Sequence, residues 1–257
     1  MRQTGSAKFG LYSKRSRNSI AVYDDGMKPW IPVIAALLAC SFQEKKPEYE
    51  TREKHDPNGI GKFYMGREIA HVLGPKGIPW LERPEREDEE HPVKVVEALD
   101  LKGEEVVADL GAGSGYFTFR LAAKVGKVLA VDIQDKMVDV IRKRAAELRI
   151  TNVEPITCTE TDPKLPEQSV DIVLMVDVYH ELAFPYEVMR ALRKALKPEG
   201  RVVLVEYRKE DPKIPIKEVH KMSEEQIKKE MAVVGLVHVK TVGTLPRQHI
   251  AIFSRGK

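Results

Sequence analysis

The chain has 257 residues, 42% of them hydrophobic and 32% charged, so it is a globular chain with room for one large domain or two small ones, and a disordered or collagen-like chain is excluded. Lysine and arginine outnumber aspartate and glutamate by 42 to 39, a net charge of +3, whereas a protein that works by neutralising nucleic-acid phosphates carries a larger, clustered excess. Two cysteines, Cys40 and Cys158, build no disulfide framework, and no Cys-x-x-Cys or paired-histidine spacing supplies a zinc site, so no metal is indicated.

Taken in chain order, the first 26 residues carry Arg2, Lys8, Lys14, Arg15 and Arg17 with no acid before Asp24. The apolar run from Trp30 to Ala39, interrupted by Pro32, falls short of the roughly 20 residues that span a bilayer. It ends in Leu37-Leu38-Ala39-Cys40 ahead of a polar stretch, which resembles a bacterial lipoprotein signal with a lipidated cysteine. On that reading Cys40 anchors the protein in the cell envelope. The alternative is a loosely packed extension of a cytoplasmic protein.

Residues 41–60, with Pro47, Pro57 and Gly59 and no apolar period, read as a tether, so residues 1–60 are expected to form an extension. Residues 61–91 are expected to be a helical lid. Met65, Ile69, Val72 and Leu73 fall at helical spacing before Gly74-Pro75, and the charged run from Glu82 to Glu90 reads as a solvated helix start. Phe63, Tyr64 and Trp80 offer flat apolar surfaces over a cleft. Pro92 then opens a helix with Val93, Val96 and Leu99 as its buried stripe, and the domain proper runs over 92–257.

From Glu104 onward short apolar runs alternate with helical patterns, the signature of strand–helix units feeding a parallel sheet. The runs predict strands over Val106–Leu110, Val128–Asp132, Val153–Thr157, Val170–Val176, Arg201–Tyr207, Leu236–Val242 and His249–Phe253. Between them Met137, Val140, Ile141 and Leu148 mark one helix, and Val188, Ala191, Leu192 and Ala195 another that Pro185 opens. Ser223 with Gln226 is a capping box for a third that ends before Gly235. The last two strands are separated only by Gly243-Thr244-Leu245-Pro246 around the turn, short enough for an antiparallel hairpin at the sheet edge. The fold class is therefore α/β, Rossmann-like, with seven strands, mostly parallel with one antiparallel edge strand, and helices on both faces.

The first strand runs into Asp109-Leu110-Gly111-Ala112-Gly113-Ser114-Gly115-Tyr116. Glycines let a backbone turn tightly and approach a ligand closely. A dinucleotide fingerprint would place its third glycine where Tyr116 stands and has no need of Asp109. A carboxylate beside the loop repels phosphates and attracts a cation such as an amine or a sulfonium. Asp132, at the end of the next strand, can accept both hydroxyls of a ribose. Asp162, after the third strand, can accept from an adenine amino group or serve as a turn residue before Pro163.

The loop, Asp132, Val170-Asp171-Ile172-Val173 and Leu196-Lys197-Pro198-Glu199-Gly200-Arg201 together resemble the class I S-adenosylmethionine-dependent methyltransferases, over about Pro92 to Phe253. The resemblance implies S-adenosylmethionine as cofactor, with Gly111, Gly113 and Gly115 near its methionine part, Asp132 on its ribose and the Asp162 region near its adenine. Glu206-Tyr207-Arg208, His220-Lys221-Met222 and Leu245-Pro246-Arg247-Gln248-His249 look like a bacterial subgroup of unassigned substrate. Methyl transfer is an in-line displacement that depends chiefly on placement. Asp177, Tyr179 and His180, delivered by the fourth strand, are the candidate catalytic residues. The Asn/Asp-Pro-Pro-Tyr pattern of amino-methylating relatives is absent from that strand end, and a small-molecule acceptor is expected rather than nucleic acid. A non-catalytic S-adenosylmethionine-binding module and a nicotinamide oxidoreductase remain as alternatives.

Overall fold

The computed structural model describes residues 46–256. Cys40, the apolar run before it, the basic leader and residues 41–45 lie outside the described residues. Among the described residues no helix is long and apolar enough to cross a membrane.

Where the spacing of Met65, Ile69, Val72 and Leu73 predicts a helix, the chain instead forms a small antiparallel sheet of β1 (Tyr49–Thr51), β2 (Gly59–Tyr64) and β3 (Arg67–Ala70). The cause is the turn. Met65 and Gly66 both have positive φ, 50° and 99°, the mark of a two-residue primed turn whose twist suits a hairpin. Tyr64 and Ile69 are buried in the main core, whereas Val72 and Leu73 are exposed. Ordered strands thus begin at Tyr49, inside the stretch expected to be a tether, and the described residues 46–256 belong to one compact unit. The boundary at residue 60 and the helical character of residues 61–70 are corrected accordingly, while helical turns do follow from Pro75.

Two short helices follow, α1 (Ile78–Leu81) and α2 (Arg86–Glu90), and then α3 (Pro92–Ala98). The charged run is solvated on one side only: Glu85, Glu87 and Asp88 are exposed, whereas Arg86 and Glu90 are buried. Arg86 Nε donates to Glu90 Oε2 at 2.6 Å and Arg83 Nη2 to Glu90 Oε1 at 2.7 Å, so the charges leave water as matched partners. In α3 the buried stripe is Val95, Val96 and the following Leu99; Val93, expected inside, is exposed.

The main sheet has seven strands: β4 (Val106–Leu110), β5 (Lys127–Asp132), β6 (Val153–Thr157), β7 (Val170–Val176), β8 (Leu196–Tyr207), β9 (Val237–Val242) and β10 (Gln248–Ser254). Their order is β6-β5-β4-β7-β8-β10-β9. All pairs from β6 to β8 are parallel, and β10 runs antiparallel to both β8 and β9, which makes the closing hairpin the antiparallel edge. Pro155, which has no N–H for a ladder, lies in the other edge strand, β6. The intervening helices are α4 (Thr118–Ala122), α5 (Asp135–Glu147), α6 (Pro185–Ala195) and α7 (Glu224–Ala232). Ser223 Oγ accepts from Gln226 N at 3.2 Å and caps α7, as its sequence predicts.

The central strands are covered on both faces, which is why they read as unbroken apolar runs. Val107, Ile172, Leu174, Val203 and Val205 pack with Val95, Leu99 and Leu121 on one side. Ala108, Val173, Met175, Val202 and Leu204 alternate with them and pack with Val188, Met189, Leu192, Ile227 and Met231 on the other. The sheet thus fixes β4, β5 and β7 side by side, with their carboxyl ends opening together.

Candidate active site

At those carboxyl ends, under the segment 71–90 and the loop around Pro215–His220, lies a cavity of about 860 Å³, a size suited to a small-molecule site. Gly111 and Gly113 line it, with φ of 71° and 56°. A Cβ at Gly113 would come within 3.1 Å of Leu81 Cδ1, and one at Gly111 would strike the Val178 side chain at 2.5 Å. Gly115 serves a different purpose. A Cβ there would collide with the Phe119 ring at 2.6 Å, so this glycine lets the loop pack on its own helix and does not line the cavity.

The two acids beside the loop divide in the same way. Asp132 lines the cavity and accepts from Gly113 N at 2.8 Å through one oxygen and from Gln134 N at 2.9 Å through the other. Each oxygen keeps a lone pair for a ligand hydroxyl. Burial raises its pKa, and the backbone N–H groups partly offset that. Asp109 is buried behind the loop rather than in the cavity, and Thr118 Oγ1 donates to it at 2.6 Å. Burial pushes its pKa up to about 6, against the Thr118 bond and with help from Asp132. Its expected contact with the ligand is therefore replaced by a brace under the glycine turn.

Asp162 does not reach the cavity. Its carboxylate is taken by Lys164, through the backbone N at 2.8 Å and Nζ at 2.7 Å, which makes it the turn residue of the two alternatives. Cys158, Thr159 and Glu160 line the cavity in its stead. Burial and then Asp132 push the Cys158 thiol up to about 11, so it stays protonated.

The end of β7 brings Asp177 and His180 to the cavity but not Tyr179. The Tyr179 ring is buried on the far side, where its hydroxyl donates to Glu230 Oε2 at 2.6 Å; it is a structural residue, not a cleft residue. Asp177 has φ of 54°, accepts from Gln248 Nε2 at 2.9 Å and leaves its other oxygen without a partner. Burial, then Glu90 and Glu206, raise its pKa well above the usual aspartate value.

His180 is buried, with Nδ1 2.6 Å from Glu206 Oε2 and Nε2 3.1 Å from His220 Nδ1. Burial would lower its pKa, but the Glu206 charge outweighs this and raises it. Burial and then the charge of His180 lower His220 to about 4. The 3.1 Å contact between the two facing nitrogens requires one proton shared between them. Glu181 completes the group, 3.9 Å from His180 and 3.8 Å from His220, and burial pushes it up to about 7. The sequence motifs around 206 and 220 mark a subgroup without revealing that Glu206 and His220 converge on His180; no fixed spacing signals that meeting.

The roof is pinned from several sides. Glu82 Oε1 accepts from Ser114 Oγ at 2.6 Å and pairs with Arg144 at 3.0 Å. The Tyr116 hydroxyl donates to Glu87 at 2.7 Å and the Tyr207 hydroxyl to Glu90 at 2.8 Å. Of the aromatics expected over the cleft, Trp80 lines it. Tyr64 is a core residue, and Phe63 lies under the Arg52 guanidinium, 3.9 Å from its ring centre.

Residues 101–248 match the profile of a family described as a methyltransferase domain. An uncharacterised methyltransferase-like protein of Schizosaccharomyces pombe is 34% identical over 118 residues, 46% of this chain and 44% of that protein. An uncharacterised methyltransferase of Bacillus subtilis is 29% identical over 119 residues, 46% of this chain and 47% of that one. The chain thus spans less than half the length of these curated relatives. Among solved structures, an S-adenosylmethionine-dependent methyltransferase from Aquifex aeolicus superposes with a TM-score of 0.67 at 26% identity, over 71% of this chain and 98% of that one.

Proposed function

The chain belongs to the class I S-adenosylmethionine-dependent methyltransferases, and on that premise we propose that its cleft carries a methyl group to a small-molecule acceptor held at the His180 end. The observation that carries this reading is one cavity of about 860 Å³ lined by two unlike sets of residues. In this reading Gly111, Gly113 and Asp132 make the cofactor end, and His180, Glu181 and His220 the acceptor end.

The first end fits the cofactor. The positive-φ glycines leave a cradle that a Cβ would fill, and Asp132 has free lone pairs for a ribose diol. When bound there, S-adenosylmethionine supplies an electrophilic methyl group on a positively charged sulfur. Leu81 lies over Gly113 and Trp80 lines the same cavity, so both narrow the space open to water beside a bound cofactor. Asp177 lines the cavity, where Gln248 fixes its carboxyl group. Glu206 fixes the His180 ring through Nδ1 at 2.6 Å, so in this reading His180 positions the acceptor.

Calorimetry should find one S-adenosylmethionine site, weakened by roughly 10- to 100-fold in Asp132→Asn, the effect of about 1.5–3 kcal/mol for bonds to a charged group. With methyl-labelled S-adenosylmethionine, label should pass to a compound in a low-molecular-mass metabolite extract. Label recovered only in total RNA or protein would overturn the small-molecule reading, and undiminished binding by Asp132→Asn would overturn the ribose assignment.

A further inference from the structure

We propose that His180, Glu181 and His220 form a binding site for one divalent transition-metal ion, whose open positions face the acceptor end of the cleft. Their ligand atoms all lie within 4.8 Å of one another, and all three residues line the cavity. Imidazole–metal bonds of about 2.0–2.1 Å place two nitrogens about 2.9–3.4 Å apart, from octahedral to tetrahedral angles. His180 Nε2 and His220 Nδ1 stand 3.1 Å apart. A metal ion would take the position of the proton they share. Glu181 Oε1, 3.8–3.9 Å from the two nitrogens, needs only a short inward shift of its side chain.

The surroundings fit a ligand set better than a chance meeting of side chains. A metal-bound histidine characteristically gives its other N–H to a carboxylate, which fixes the ring and raises its basicity. His180 does so, with Nδ1 2.6 Å from Glu206 Oε2, and Glu206 is itself fully buried and accepts from Tyr179 N at 2.8 Å. Glu181 and Glu206 are two acids within one buried group, and among the described residues neither is in an ion pair with a lysine or arginine. Their only charged partners in the group are the two histidines, and a divalent cation bound between these would supply the countercharge that otherwise needs a proton there. Two imidazoles and one carboxylate suit zinc, manganese, iron or cobalt, and three protein ligands leave room for a water or a substrate oxygen. The acceptor class that follows is a molecule with hydroxyl or carbonyl oxygens, whose hydroxyl loses its proton more readily on the metal. This acceptor class rests on the reading of the cleft as a methyltransferase site; metal binding itself does not.

The full chain, stripped with a chelator and titrated with Co²⁺, should develop visible absorption that saturates at one equivalent and is displaced by Zn²⁺. His180→Ala and His220→Ala should each abolish the band, and Glu206→Gln should weaken Co²⁺ binding by about 10- to 100-fold. Retained S-adenosylmethionine binding shows in each case that the variant is folded. Acetohydroxamate, a bidentate oxygen ligand, should shift the wild-type band. No band at one equivalent, or a band that survives His220→Ala, overturns the site, and a band indifferent to acetohydroxamate overturns the acceptor class. A wild-type chain that binds Co²⁺ and not S-adenosylmethionine would instead overturn the methyltransferase reading.

Discussion

Asp109 is an acid enclosed behind the glycine turn, with Thr118 as its one side-chain hydrogen-bond partner, and its raised pKa of about 6 has a stability consequence. Between about pH 4 and 6 the folded chain holds a proton that the unfolded chain has lost, so this residue's contribution is full in acid and falls as pH rises through the folded value. Asp109→Asn keeps an acceptor for Thr118 and cannot ionise. Its stability relative to wild type should therefore improve from pH 4 to pH 7, by on the order of 3 kcal/mol, in urea melts at the two pH values. A difference that stays constant would mean that Asp109 is ionised in the fold. Asp109, Asp132 and Asp162 look alike as acids near strand ends. Only the neighbours separate them: Thr118 for Asp109, open cavity for Asp132 and Lys164 for Asp162. Of these, Lys164 two residues on was the one partner visible in the chain.

Among the elements, the β2–β3 hairpin does more than precede the sheet. Arg67, the first residue of β3, is held by Glu230 of α7 at 2.7 and 3.1 Å and donates to the His180 carbonyl at 3.2 Å. Glu230 also accepts from Tyr179 at 2.6 Å, so one buried acid joins the hairpin, α7 and the turn that carries His180. Arg67→Met leaves Glu230 without its counterion and should cost about 3–5 kcal/mol. Tyr179→Phe removes one bond to a charged group and should cost about 1.5–3 kcal/mol. Thermal melts should rank the two in that order, with S-adenosylmethionine affinity unchanged in Tyr179→Phe; a large loss of affinity in that variant would restore Tyr179 to the cleft. The parallel strands were legible because burial on both faces writes an apolar run. The hairpin was not, because Met65 and Ile69 satisfy a helical period as readily as a turn and a strand, and Gly66 is the sole local sign against it. The buried charges of α2 were illegible for a related reason: a run of glutamates and arginines looks solvated until Tyr207 arrives from β8 and Arg83 folds back onto Glu90.

At the scale of the whole molecule the cleft has a floor of strand ends and a roof of 71–90. His71, Leu73, Trp80 and Leu81 line the cavity, and Leu73 is tied to both walls, its N–H to Glu181 at 3.3 Å and its carbonyl to Gln134 at 3.0 Å. A ligand filling the cavity should restrain this span together with the glycine turn. Amide exchange over residues 71–83 should slow when S-adenosylmethionine is added, and protection limited to residues 111–113 would show that the roof does not respond to the cofactor. One topological feature reaches beyond the finished structure. β9 is hydrogen-bonded in the sheet only to β10, and β10 also covers the edge of β8, with His249 opposite Glu206 and Gln248 opposite Tyr207. During synthesis from the amino end, β4, β5 and β6 can pair as soon as each has emerged, while β8 keeps an open edge until residues 248–254 are made. The glycine-turn side of the cleft is thus the older side in the life of each molecule, and the wall that carries Glu206 becomes dry only with the last strand.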